Sequence, residues 1–319
     1  MYNNYNKERK NREDIFLVSE PSISWGGSWT EDKLEAFEKY VNAYLTIMNS
    51  YRDIYGWKLI YFDGFAGSGS RAEVRKDNDS ELLRVLFAEN ILKEDELNLY
   101  KGAAERVLSI DQRGFDYYYF IDKDKESSNK LEELLSSYKK DKCLTFRDSD
   151  ANKQMSLLSK AMINNKKIVS LVLLDPFGMQ VEWNSIAALK GTRSDVWILI
   201  PTGVIVNRLL DRKGELTHIE KLISFFGKDE DFLRNYFYYK RQETTLFGDI
   251  EVVEKVKQPI QKIAELYIQR LKEIFKFVTE EPLVLYNSRH VPIFHFACAS
   301  NNRNAVKIAS EIINKKQKL

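Results

Sequence analysis

The stretch Trp57–Arg71, WKLIYFDGFAGSGSR, decides how the rest of the chain is read. Leu59 to Phe62 are apolar or aromatic at every position, which fits a strand covered on both faces rather than one. The run stops at Asp63, and glycines follow at 64, 67 and 69. Ligands of α/β sheets bind beyond the carboxyl ends of the strands, where the chain turns into a loop or helix. Glycines at such a place let the backbone turn sharply and approach a ligand closely. A structural turn would use the same residues, so the surrounding chain has to separate the two.

Working outward, short apolar runs recur at 117–121 (YYYFI), 143–146 (CLTF), 169–174 (VSLVLL) and 195–200 (DVWILI), separated by helical patterns such as SSNKLEELLSSYKK. Strand-like runs alternating with helical periods predict right-handed crossovers in a parallel sheet. The expected fold is therefore α/β: Rossmann-like and doubly wound, with helices on both faces. Before the first strand, Leu34, Phe37, Val41, Tyr44, Leu45 and Met48 recur at three- and four-residue steps, predicting a helix over about 31–50 with Thr30 as N-cap.

The expected organisation is an N-terminal arm and helical extension at 1–52, with the first 14 or so residues a flexible arm. A cofactor-binding core follows at 53–207, then a helical insertion at 208–260. Residues 261–319 complete the core with a helix, two strands joined by a short turn, and a closing helix.

Lysine plus arginine (49) nearly balances aspartate plus glutamate (47) over 319 residues, so any nucleic-acid surface must be a local patch. The two cysteines, Cys143 and Cys298, are far apart and read as buried thiols, without disulfide or zinc spacing. The polar start MYNNYNKERKNRED lacks a signal-peptide core, and no run approaches the length of a membrane span. The expectation is a soluble, cytoplasmic protein. His218, His290 and His295 offer no metal-ligand spacing, so no metal is expected.

The glycine loop excludes some ligands. A phosphate-binding P-loop requires GxxxxGK[ST], but here Gly69 is followed by Ser70 and Arg71; a dinucleotide fingerprint requires GxGxxG, but the glycines fall at 64, 67 and 69. Asp63-Gly64-Phe65-Ala66-Gly67-Ser68-Gly69 resembles the DxFxGxG loop of class I S-adenosylmethionine-dependent methyltransferases. In such enzymes an acid ends the next strand, here Asp122, where a carboxylate accepts the hydrogens of both ribose hydroxyls. Asp148 or Asp150, after the third strand, would contact the adenine amino group, Asp150 being preferred. The fourth strand runs into Asp175-Pro176-Phe177, similar to the [DNS]-P-P-[YF] motif of amino methyltransferases. A carboxylate and a carbonyl there accept hydrogens of a weakly nucleophilic exocyclic nitrogen while an aromatic ring stacks on the base. Here the aromatic stands third rather than fourth. A cytosine-C5 enzyme would need a cysteine after proline at this strand end, which is absent.

Together, WTEDKLEAFEKYVNAYLTIM, YFDGFAGSG, FIDKD, LLDPFGMQVEW and DVWILIPTGVIVNRLL resemble the three-Cys-motif partner protein family (TcmP), clearly over about 25–210. The resemblance implies a methyltransferase-like domain with a mostly parallel seven-stranded sheet. It also implies S-adenosylmethionine as cofactor and a neighbouring three-Cys-motif protein as possible partner. Transfer of a methyl group to an exocyclic nitrogen of RNA or DNA is the expected activity; a non-catalytic subunit binding nucleic acid or that neighbour is the alternative. For the acceptor side, Thr202, Asn207 and Arg208 follow the fifth strand, and Lys240 and Arg241 lie among aromatics in YFYYKRQ, as single-stranded nucleic acid would require. Lys33 either reaches a phosphate or lies on a solvated helix face. Trp25, Gly26, Gly27 and Trp29 either staple the first helix to the core or cover the cofactor.

Overall fold

A computed structural model describes residues 28–69, 102–176, 178–287 and 289–318. The five apolar runs form β1 (Lys58–Asp63), β2 (Tyr117–Asp122), β3 (Leu144–Asp148), β4 (Ile168–Leu174) and β5 (Ser194–Ile200), all paired in parallel. Their neighbours run β3-β2-β1-β4-β5, so the chain winds one way from β1 and then restarts on its other side at β4. The crevice between the carboxyl ends of β1 and β4 is thus the topological switch point, where such sheets accept ligands.

The described α-helices of this half are α1 (Ser28–Tyr55), α2 (Ala103–Leu108), α3 (Lys125–Leu134), α4 (Ala151–Asn164) and α5 (Trp183–Ala187). Carboxylates start two of them: Asp124 accepts from the Ser127 amide and Asp150 from the Lys153 amide. Helix α1 is longer at both ends than its periodicity suggested, and Thr30 lies buried inside its first turn rather than capping it. Its apolar face, from Phe37 and Tyr40 to Leu45, covers one face of the sheet with Trp197 and Phe296. Helices α4 and α5 cover the other face.

After β5, a π-helical turn (Thr202–Val206) leads into the single turn α6 (Asn207–Leu209), then α7 (Ile219–Phe226) and α8 (Glu230–Phe237). The expected helical insertion is only partly helical. Residues 238–255 form an antiparallel hairpin of β6 (Tyr238–Thr245) and β7 (Gly248–Lys255), apart from the main sheet. Nor is the insertion separate from the core, because Leu222, Phe225, Phe226, Leu233 and Phe237 join the apolar cluster on the α4 face. At the hairpin's base the Lys255 ammonium donates to the Asn207 carbonyl (2.7 Å) and Oδ1 (2.8 Å) and to the Leu210 carbonyl. Burial there pulls its pKa down to about 8.

Helix α9 (Pro259–Ile274) returns to the sheet, followed by β8 (Phe277–Val278), β9 (Leu283–Tyr286), β10 (Pro292–Ser300) and α10 (Arg303–Gln317). The expected final strand pair is β9 and β10, and β10 lies antiparallel beside β5. Among the described residues the sheet has eight strands rather than the expected seven, because its far edge is split. Both β8 and β9 pair with β10 on the side away from β5, one after the other.

No described helix is long and apolar enough to cross a membrane. Cys298 is buried in β10, but Cys143 is exposed, contrary to its expected burial, because it precedes edge strand β3.

Candidate functional site

Asp63 ends β1 with its side chain only 2% exposed. Its Oδ1 accepts from the Phe65 amide (3.3 Å) and its Oδ2 from the Tyr61 hydroxyl (3.2 Å). Burial, then the neighbouring charge of Asp175, push its carboxyl up to about 7, against the opposing pull of the Phe65 amide, Tyr61 and Lys33. Across the switch point, Asp175 follows β4, one strand over from Asp63 in the register that pairs Asp63 with Leu173. Two carboxyls therefore face one crevice.

Lys33 completes this cluster. Its ammonium, on the first turns of α1, donates to Asp175 Oδ2, and its side chain is 7% exposed. It lies on neither a solvated helix face nor an open phosphate-binding surface. The Trp29 ring, 5.7 Å from the ammonium, stacks on Phe294 of β10 at 5.3 Å. Trp29 thus fastens the start of α1 to the sheet; Trp25, Gly26 and Gly27 lie outside the described residues.

The glycine loop is fixed by backbone groups. The Gly64 amide donates to the Leu173 carbonyl (2.9 Å), and the Ala66 amide to the Ile121 carbonyl (2.9 Å). The Gly67 amide donates to Asp122 Oδ2 (3.0 Å), while Asp122 Oδ1 accepts from the Asp124 amide (2.7 Å). So Asp122 binds the loop to the end of β2, a structural part beyond the one read from sequence. Gly67 and Gly69 have φ of +64° and +74°, where a side chain is strained. Among the described residues, a Cβ on Gly67 would meet nothing within 4 Å, whereas one on Gly69 would run into Leu134 at 2.6 Å. Among the described residues, the space over Gly67 is open, next to Phe65, which is half-buried.

The other expected residues are scattered around this centre. Asp150 is exposed at the end of β3 and caps α4. Pro176 is buried; Phe177 lies outside the described residues. Beyond it, Asn152 holds the loop after β4 by donating to the Gln180 carbonyl and accepting from the Glu182 amide, both at 2.9 Å. Sequence reasoning missed Asn152, because its position after a helix cap gives no hint of a contact 28 residues away. Thr202 is buried and its hydroxyl bonds His295 Nδ1 at 2.8 Å, so it packs the end of β5 against β10. Burial lowers the His295 pKa to about 4. Asn207 is engaged by Lys255, and Arg208 is exposed beside it.

Lys240 and Arg241 stand on β6 of the exposed hairpin, not on a helix. Lys240 pairs with Glu251 (2.7 Å), and Arg241 with Glu254 (2.9 Å) and Glu243 (3.4 Å). The hairpin, residues 238–255, carries three basic and four acidic side chains, so it forms no basic patch. Among the described residues, no group of three or more His, Cys, Asp or Glu is gathered as a metal site would require.

No family model and no curated protein matches this sequence. Among solved structures, the chain is similar to a crystal structure of protein LPL1258 from Legionella pneumophila, described as family-model DUF519. Identity is 12%, 91% of this chain and 93% of that chain are covered, and the TM-score is 0.46.

Proposed function

We propose that the chain is an S-adenosylmethionine-dependent methyltransferase acting on an exocyclic, adenine N6-like nitrogen of nucleic acid. The supporting observation is the convergence of Asp63, Asp175 and Lys33 at the switch point, beside a glycine loop tied down by Asp122 and open over Gly67. The residues suit such a cofactor: Gly67 leaves room for close approach, Asp122 is the acid for the ribose hydroxyls, and the buried Asp63 carboxyl favours a cationic neighbour. When bound, the cofactor supplies an electrophilic methyl group on a sulfonium. The chain contributes positioning: Asp175 accepts a hydrogen of the acceptor amino group, and Lys33 fixes the carboxylate that does so. The resemblance to the three-Cys-motif partner family leads to the same cofactor and adds a neighbouring protein as partner.

The test is transfer of a labelled methyl group to total RNA and DNA, alongside calorimetric titration with S-adenosylmethionine. Asp175→Ala should abolish transfer while leaving cofactor affinity nearly intact. Asp122→Ala should weaken cofactor affinity by roughly 1.5–3 kcal/mol, the worth of hydrogen bonds to a charged group. A folded protein that ignores the cofactor at millimolar concentration rules out the enzyme reading. Cofactor binding without transfer, with and without the neighbouring protein, leaves the non-catalytic subunit.

A further inference from the structure

The rim of the sheet opposite the crevice, where the parallel strands begin, gathers cations. The turns that lead into β4 and β5, residues 164–167 and 188–193, carry Lys166, Lys167, Lys190 and Arg193 and no acidic residue. Pairing of the strands brings these turns to one edge: the Lys58 amide donates to the Lys167 carbonyl (2.9 Å), and the Ser170 amide to the Arg193 carbonyl (3.0 Å). All four cationic residues are exposed, and among the described residues none has a carboxylate within ion-pair distance. The nearby acids are held by arginines, Asp53 by Arg113 (2.6 Å) and Asp116 by Arg52 (2.6 Å). The rim is therefore a local positive patch on a chain whose charges nearly balance.

Aromatic rings stand among these cations. Tyr55, the last residue of α1, is 54% exposed and stacks on Trp57, with centroids 4.7 Å and planes 23° apart. The Tyr51 ring, 47% exposed, follows at 6.3 Å. The Arg193 guanidinium lies 5.4 Å from the Trp57 ring. Gly56, between the two stacked rings, has φ of +64°, and a Cβ there would come within 3.4 Å of the Lys167 ammonium, so that cation sits beside the stack. Packing accounts for Trp57, which is half-buried against the core under α1, but not for the exposed rings of Tyr51 and Tyr55. Exposed π faces beside cations that lack a counter-charge suit a single strand of nucleic acid, whose bases stack on rings while its phosphates meet ammonium and guanidinium groups. A duplex keeps its base faces stacked on one another and could use the cations alone.

We infer that this rim is a nucleic-acid-binding surface separate from the crevice, where a single strand stacks a base on Tyr55 and lays its phosphates along Lys166, Lys167, Lys190 and Arg193. The six residues of β1 put it about 20 Å from Asp63. Binding here does not depend on methyl transfer.

Fluorescence anisotropy of a labelled single strand of about 12 nucleotides, as DNA and as RNA and without S-adenosylmethionine, tests it. The wild type should bind, with affinity falling as salt rises. Joint replacement Lys166→Ala, Lys167→Ala and Lys190→Ala should weaken binding and reduce the slope of log affinity against log salt by about 2. Tyr55→Ala should weaken binding about tenfold and leave that slope unchanged. Lys240→Ala with Arg241→Ala, whose cations are already paired on the hairpin, should bind as the wild type does. The replaced residues are exposed, so unchanged melting serves as the folding control. A folded wild type that binds no strand at about 50 mM salt overturns the inference, as does binding that the lysine and Tyr55 variants leave intact. A lysine effect without a Tyr55 effect would make the rim a general anion surface and overturn the stacking site. Capture of phosphatidylserine vesicles without capture of the oligonucleotide, lost in the same variants, would place a membrane there instead and overturn it too.

Discussion

At Asp63, burial and a neighbouring carboxylate combine to hold a proton close to neutral pH. The folded-state pKa of about 7 lies above the ordinary carboxyl value, so the native state binds this proton more tightly than the unfolded chain. The resulting stabilisation is complete below about pH 4 and is lost as pH rises through 7. Asp63→Asn should remove that dependence and exceed the wild type above pH 7 by on the order of 2–4 kcal/mol. Thermal unfolding from pH 4 to 8 checks this, and parallel curves for the two proteins would contradict it. Asp63, Gly67 and Asp122 were readable from sequence because strand ends and glycines leave local marks. The place of Lys33 was not, since its partner is 142 residues away and depends on how α1 lies across the sheet.

Among elements, the loop after β1 makes two different uses of glycine. Gly69→Ala would force a left-handed backbone and press on Leu134 and Leu131, costing about 1–2 kcal/mol of stability. Gly67→Ala should meet only the backbone cost, about 1 kcal/mol, because among the described residues its Cβ has no neighbour within 4 Å. If that space receives the cofactor, Gly67→Ala should reduce affinity more than Gly69→Ala while destabilising less. Melting and calorimetry on the pair separate the effects. The hairpin β6–β7 escaped the sequence reading for physical reasons. It is exposed on both faces, so no buried stripe marks period two. Its Leu246-Phe247 turn also lacks the Asn-Gly or Asp-Gly signature, and the preceding EDFLRNYF continues a helical pattern.

For the molecule as a whole, the parallel half was legible because strands buried on both faces read as unbroken apolar runs. The split edge was not, because β8 has only two residues, too few for periodicity to register. The hairpin projects from this body with Leu246 and Phe247 at its tip, 100% and 99% exposed. Replacing both by serine should change unfolding free energy by less than about 0.5 kcal/mol, since neither touches the core. A larger loss in a denaturant titration would show that the tip packs against the body.

Asp175 has one of its two oxygens pinned by Lys33. A carboxylate so held no longer spins about its own bond; it offers its second oxygen in a single direction, fixed by where α1 begins. Rotational freedom that an arriving partner would otherwise have to quench has already been removed during folding, and the aim of that oxygen is set by a lysine from the far end of the chain.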